Sequence, residues 1–221
     1  MGFTFSFFTF SKMSKYLDNL IAEGEHQTQD FKFEISDSRK IARTLAAFAN
    51  TDGGRLLVGV KDNGHVTGIA SDEEYYMIEA AANIYCKPAV EFETRIWKKE
   101  GKNVLEVIVP KSEKKPHKAP FHTGDYKVFI RVNDKNILAN GILLKVWARQ
   151  KKNQGTLLKY TETESKLLEY LNTHKTITFS GFQRIIGIKR KVAETTLINL
   201  VAMDVLEMEL SEKQCLYKLK R

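Results

Sequence analysis

The sequence predicts an α+β chain in two parts. A mixed, largely antiparallel unit covers residues 15–150, and a small helical unit closed by a hairpin covers 161–221. Three observations point there. Residues 29–35 alternate, with Phe31, Phe33 and Ile35 on one face, the two-residue period of a half-buried strand. Ile41, Leu45 and Phe48 recur at helical spacing through an Ala-rich stretch, so helix and strand are interleaved. Short turn signals at Asp62-Asn63-Gly64 and Glu100-Gly101-Lys102 leave no room for parallel crossovers, which favours hairpins.

Taken in order, residues 1–14 form an aromatic extension in which Phe3, Phe5, Phe7, Phe8 and Phe10 alternate with Thr and Ser like an exposed strand. Residues 15–22 read as a short helix, and 29–35 as the first strand. Ser36-Asp37-Ser38 supplies a cap for the Ala-rich helix, and Asn50 to Gly54 stops it, since Asn and Gly tolerate a left-handed C-cap. Residues 56–60 are a continuous apolar run, the signature of a strand covered on both faces. A returning strand is expected over 65–69, a helix over 72–85, and a hairpin formed by 90–96 and 103–109. Residues 111–122 read as a polar, Lys-containing loop, 126–132 as a strand and 138–150 as a closing helix. A linker follows at 151–160. Beyond it, Thr161 caps a helix carrying Leu167, Leu168 and Leu171. Further helices are expected over 179–186 and 189–203, then strands over 205–210 and 214–219. Three helices and a terminal hairpin describe a winged helix-turn-helix.

The formal net charge is +8. Residues 151–221 carry 13 Lys/Arg against 8 Asp/Glu, so the surplus concentrates in the tail. Phosphate polymers are the commonest partners of such chains. No stretch is apolar enough for a membrane helix, which excludes an integral helical membrane protein. Cys86 and Cys215 stand alone, outside any CxxC or Cys/His cluster, which argues for a reducing, cytoplasmic setting and against structural zinc.

Three constellations could carry function. In the third tail helix, Lys189, Arg190 and Lys191 open the helix and Thr195 and Asn199 follow at helical spacing. The N-terminal part of such a helix enters the major groove, where these side chains reach phosphates and base edges, with Lys213 gripping the backbone from the wing. In the first part, Asp30 and Lys32 lie two apart on a strand and so share a face. With Glu25 upstream and Asp62 after the next strand, they form a candidate divalent-metal site of a nuclease, in which carboxylates hold the ion and the lysine assists. Alternatively, Asp62 is a turn residue, Glu25 a solvated acid and Asp30 an ion-pair partner of Lys32 or Arg43. Lys111, Lys114, Lys115, His117 and Lys118, with Arg131, make a basic patch suited to a nucleic-acid backbone. Gly53-Gly54 is followed by no Walker-type Lys-Ser/Thr. His26, His65, His122 and His174 show no ligand spacing.

The run Ala47-Phe48-Ala49-Asn50-Thr51-Asp52-Gly53-Gly54, then Leu57-Val58-Gly59-Val60-Lys61-Asp62-Asn63-Gly64 and Gly68-Ile69, resembles the Schlafen-type AlbA domain family. The likeness reaches upstream to Glu25 and Asp30-Phe31-Lys32, and downstream to Lys115-Pro116-His117 and the Tyr126 to Val132 strand. It implies an AlbA-like fold and DNA- or ATP-binding regulators among bacterial relatives, often followed by a winged helix. Animal relatives include RNA-cleaving enzymes with three acids, and Glu25, Asp30 and Asp62 occupy the matching positions. The family usually has Glu where Asp30 stands. The expectation is therefore a DNA-binding transcriptional regulator that pairs as a homodimer. A Mg2+- or Mn2+-dependent nuclease acting on RNA or single-stranded DNA, and a protein-interaction scaffold, are the alternatives.

Overall fold

The computed structural model describes residues 7–122, 124–152 and 160–220. The chain divides into two compact units, Met1–Leu138 and Ala139–Arg221.

The first unit begins with α1 (Phe7–Glu23), then β1 (Gln29–Lys32), α2 (Ser38–Asn50), β2 (Gly54–Val58) and α3 (Glu73–Asn83). β3 (Glu93–Lys99), β4 (Lys102–Val109), β5 (Lys118–His122), β6 (Asp125–Val132) and β7 (Lys135–Leu138) complete it. One sheet has the order β1-β2-β4-β3 and another the order β5-β6-β7. Among the described residues only β1 and β2 run parallel, with Asp30 beside Leu56; β2–β4 and β3–β4 are antiparallel, as are β5–β6 and β6–β7.

The apolar run at β2 is explained by burial on both faces. Leu56 and Val58 pack with α2 and α3, while Leu57 packs with Phe31, Val104 and Leu17 and Leu20 of α1. α2 lies between the four-stranded sheet and β5–β6, and Ile41, Ala42 and every residue from Thr44 to Asn50 are buried. A helix covered on nearly all sides needs small residues where sheets approach, which accounts for its four alanines. The β3–β4 hairpin turns through Glu100 and Gly101, both at positive φ (52° and 75°), as a two-residue hairpin requires.

The second unit contains α4 (Gly141–Gln150), α5 (Glu162–His174), β8 (Thr176–Thr178), α6 (Phe179–Ile186), α7 (Arg190–Ala202), β9 (Leu206–Leu210) and β10 (Cys215–Leu219). Its sheet has the order β8-β10-β9, all antiparallel. Leu167, Leu171, Phe182, Ala193, Leu197, Leu200 and Tyr217 form its core. α5 opens with a capping box in which Thr161 and Glu164 exchange hydrogen bonds, and α6 ends on Gly187 in the left-handed conformation at φ 73°.

Several expectations change. Phe7, Phe8 and Phe10 belong to the long helix α1, not to a strand; Phe3 and Phe5 lie outside the described residues. α2 ends at Asn50 in helical geometry, and the left-handed residue is Gly53 at φ 77°. The returning strand at 65–69 reduces to a single bridge between Val60 and Val66. β5 emerges within the expected loop. The helix expected to close the first part is α4, which belongs to the second unit and packs on α7. The core of the expected linker, 153–159, lies outside the described residues. No helix among the described residues is long and apolar enough to cross a membrane.

Candidate nucleic-acid interface

In the first unit, β1 carries Asp30 and Lys32 to one face, as their two-residue spacing demands, and they meet: Lys32 Nζ is 3.0 Å from Asp30 Oδ2. Lys32 Nζ also donates to Phe31 O at 2.5 Å. Glu25 joins them from the preceding turn, its Oε1 accepting from Phe31 N at 2.9 Å and lying 3.9 Å from Lys32 Nζ. Burial, followed by a hydrogen bond shared with Asp30, pushes the Glu25 carboxyl above its usual range. The structure therefore brings Glu25, Asp30 and Lys32 together.

It does not bring Asp62. That residue is exposed in the Lys61–Gly64 turn, closed by Gly64 N donating to Lys61 O at 2.7 Å. Among the described residues, no three His, Cys, Asp or Glu side chains are placed to hold a metal ion. Counter-charge comes from elsewhere. Arg131, with its side chain 1% exposed, sets Nη2 3.2 Å from Asp30 Oδ1. Its guanidinium also donates to Gln29 O, His26 O and Asn136 Oδ1. Two carboxylates held by Arg131 and Lys32 need no divalent cation to coexist. The cluster does not fit the three-carboxylate metal centre.

The same finding corrects Arg131 as a nucleic-acid contact, because it is buried and committed to five acceptor interactions within the unit. His117 is likewise buried, its ring nitrogens against Pro88 O and Ser112 Oγ. Of the rest of the basic patch, Lys111, Lys114 and Lys118 are exposed, and the first two are partly neutralised. Lys111 Nζ lies 3.8 Å from Asp52, and Lys114 Nζ donates to Glu91 at 2.8 Å. Lys115 is half-buried, and that burial depresses its ammonium pKa. Lys118 is exposed, and its backbone is bridged to Lys87, which lies 4.2 Å over the Tyr126 ring. Lys87 carries no local signal that singles it out, since only the pairing of distant segments puts it beside Lys118.

The Asn50-Thr51-Asp52-Gly53-Gly54 run serves as a clamp. Asn50 Nδ2 donates to His117 O and Phe129 O, and Asn50 Oδ1 accepts from His117 N at 2.7 Å. Thr51 Oγ1 donates to Ala47 O and accepts from Arg131 N. A Cβ on Gly53 would sit 2.8 Å from Lys111 N and Val109 O, so this glycine allows close chain packing rather than approach to a phosphate.

In the second unit, Ala193, Thr196, Leu197 and Leu200 of α7 point into the core. Lys189, Arg190, Lys191 and Thr195 are exposed at its N-terminal half. Arg190 lies 5.8 Å over the Phe179 ring, and Thr195 Oγ1 donates to Lys191 O. Lys213 is exposed at the β9–β10 turn. Asn199 departs from its expected role: it is half-buried, and its Oδ1 is shielded without a hydrogen-bond partner among the described residues. α4 packs along α7, tied by Lys145 Nζ to Glu194 Oε1 at 2.5 Å. Glu164 Oε1 accepts from Thr196 Oγ1 at 3.0 Å, which fixes α7 to the start of α5.

Two similar solved structures are the DIP2311 protein from Corynebacterium diphtheriae and the N-terminal domain of a protein related to the ATP-dependent DNA helicase RecG from Nitrosomonas europaea. The former is 19% identical with a TM-score of 0.44, covering 66% of this chain and 29% of its own. The latter is 26% identical with a TM-score of 0.38, covering 58% of this chain and 95% of its own. No curated protein matches significantly. The family model for Schlafen, AlbA_2 matches residues 25–140, more than half of the chain. The chain belongs to the Schlafen AlbA_2 family.

Proposed function

We propose that this protein is a DNA-binding transcriptional regulator that acts as a homodimer and reads duplex DNA through a winged helix in its second unit. The reading rests on one observation: the exposed basic start of α7, Lys189-Arg190-Lys191, within the element order helix, strand, helix, helix, hairpin. That order is the one in which the third helix docks in the major groove, with its N-terminal residues toward base edges. Thr195 extends the exposed face by one turn, and Lys213 stands at the hairpin tip for a backbone contact. Lys118, with Lys87 beside it, offers the first unit's own backbone contact.

Replacing Lys189, Arg190 and Lys191 together by Glu is expected to weaken duplex binding at least 100-fold at physiological salt, measured by fluorescence anisotropy. All three are exposed, so the fold tolerates the change. Unchanged affinity removes the reading. Equal binding of any polyanion, heparin included, would favour a protein-interaction scaffold with an incidental basic surface. Cleavage of labelled tRNA that needs Mn2+ and is lost in Asp30→Asn would replace the binding reading with the nuclease one.

A further inference from the structure

The four-stranded sheet has two edges, β1 and β3, and they are treated differently. At β1, Gln29 exchanges backbone hydrogen bonds with His26, and Arg131 Nη2 donates to Gln29 O. β3 bonds only to β4, and no backbone group of Glu93–Lys99 has a further partner among the described residues. β3 is also seven residues long, and Ile96 at its centre is 54% exposed. A long strand with a free row of N–H and C=O groups is a template for another strand.

We propose that β3 pairs antiparallel with β3 of a second copy of this chain, about a twofold axis through Ile96, joining the two sheets into one of eight strands. The inference rests on the homodimer part of the proposed function and gives it an interface. Among axes at Arg95, Ile96 and Trp97, the three central residues of the strand, the sequence favours the one at Ile96. With the axis at Ile96, Ile96 faces its copy, Arg95 faces Trp97, Thr94 faces Lys98 and Glu93 faces Lys99. Opposed side chains in such a pair stand about 4.5–5.5 Å apart at Cβ, close enough for the Arg95 cation to meet an indole and for Glu93 to meet an ammonium.

The neighbouring registers are worse. A twofold axis perpendicular to the sheet keeps each residue on its own face, so the axis must pass through a residue rather than between two. An axis through Arg95 sets Arg95 against itself, and one through Trp97 sets Arg95 against Lys99. Like charges directly opposed destabilise a pair. The side chains beside the edge are also held. Trp97 Nε1 donates to Glu106 at 2.7 Å, its ring lies 4.9 Å from that of Tyr16, and Lys99 Nζ is 2.6 Å from Asp18. Lys99 thus meets Glu93 of the second copy while remaining beside Asp18.

Sedimentation equilibrium of the full chain tests the pairing, with a mass of twice 25.3 kDa expected at micromolar concentration. In a Cys215→Ser background, Ile96→Cys is expected to give a cross-linked dimer on mild oxidation, since directly opposed residues meet the 4.4–6.8 Å Cα separation a disulfide needs. Glu93→Cys is the off-register control: its copy lies six residues along, about 20 Å away, and no cross-link is expected. Cys86 is buried and does not compete. Ile96→Lys opposes two lysines at an exposed site and is expected to yield a folded monomer. A monomeric wild type overturns both the interface and the homodimer reading. A dimer that survives Ile96→Lys, or that cross-links equally well through position 93, overturns the interface alone.

Discussion

Arg131 holds the first unit's acidic pocket together, and its role shows why residue-level chemistry needs tertiary placement. Its guanidinium faces Asp30, a side chain 5% exposed, across a separation of 101 residues. Removing it leaves that buried carboxylate with Lys32 at 3.0 Å as its cationic partner and takes a donor from Gln29 O and Asn136 Oδ1. Arg131→Ala is therefore expected to lose about 3–5 kcal/mol of stability, read from urea denaturation; a loss below 1 kcal/mol would mean the pair is solvated. Glu25 gives a prediction of opposite sign. Its carboxyl is raised, chiefly by burial and then by the bond with Asp30, so the folded protein holds that proton more tightly than the unfolded chain. This stabilisation is complete below the unfolded pKa near 4.5 and is lost as pH rises through the folded value. Glu25→Gln keeps an acceptor for Phe31 N and removes the loss. The variant's melting temperature relative to wild type is expected to rise from pH 4 to pH 7, and a constant difference would refute it. Asp30 and Lys32 were legible in the sequence because a strand's period of two is local. Arg131 was not, because its charge suggests a surface and only tertiary placement sets its guanidinium against Gln29, Asp30 and Asn136.

The elements of the second unit were the easier to read, and their sequence signals are local too. The α6 boundaries follow from Gly187, and the α5 start follows from Thr161 with Glu164 three residues on, both short-range devices. What the local pattern hid is that Glu164 does two jobs. One oxygen accepts from Thr161, closing the cap, and the other accepts from Thr196 in the core face of α7. Burial pushes the Glu164 carboxyl up, but the hydrogen bonds from Thr161, the backbone and Thr196 outweigh it and leave it below its usual range. Its contribution is then complete above the unfolded pKa near 4.5 and lost as pH falls through the folded value. Glu164→Ala is expected to cost about 1–3 kcal/mol, combining a lost cap with an unpaired buried hydroxyl. The penalty should shrink on acidification to pH 3, as calorimetry can show; a penalty constant with pH would mean that packing, not charge, is lost. α4 was misplaced for a related reason. Helical periodicity shows that Val146 and Trp147 seek cover, but it does not say whose. The partner is α7, in the unit that follows rather than the one that precedes.

At the scale of the whole molecule, the +8 charge and the two copies of α7 in the proposed dimer make a joint, countable prediction. Each phosphate neutralised by a cation releases condensed counterions, so the slope of log affinity against log salt is about −0.9 per contact on duplex DNA. Lys189, Arg190 and Lys191 are exposed and adjacent, and each can engage one phosphate. Replacing all three by Ala removes their charge without adding repulsion, so the slope itself counts lost contacts. If one α7 docks per complex, the slope should become shallower by about 3. If both chains of the β3-paired dimer dock at once, the change should be about 5–6, and affinity for a site with two half-sites should exceed that for a single half-site by avidity. The Ile96→Lys monomer then provides the internal control: its wild-type α7 should bind with the shallower, single-helix slope. Titrations between 50 and 300 mM salt distinguish these outcomes. An unchanged slope in the triple Ala variant would place the DNA on another surface, for which the exposed Lys87–Lys118 pair is the remaining basic candidate.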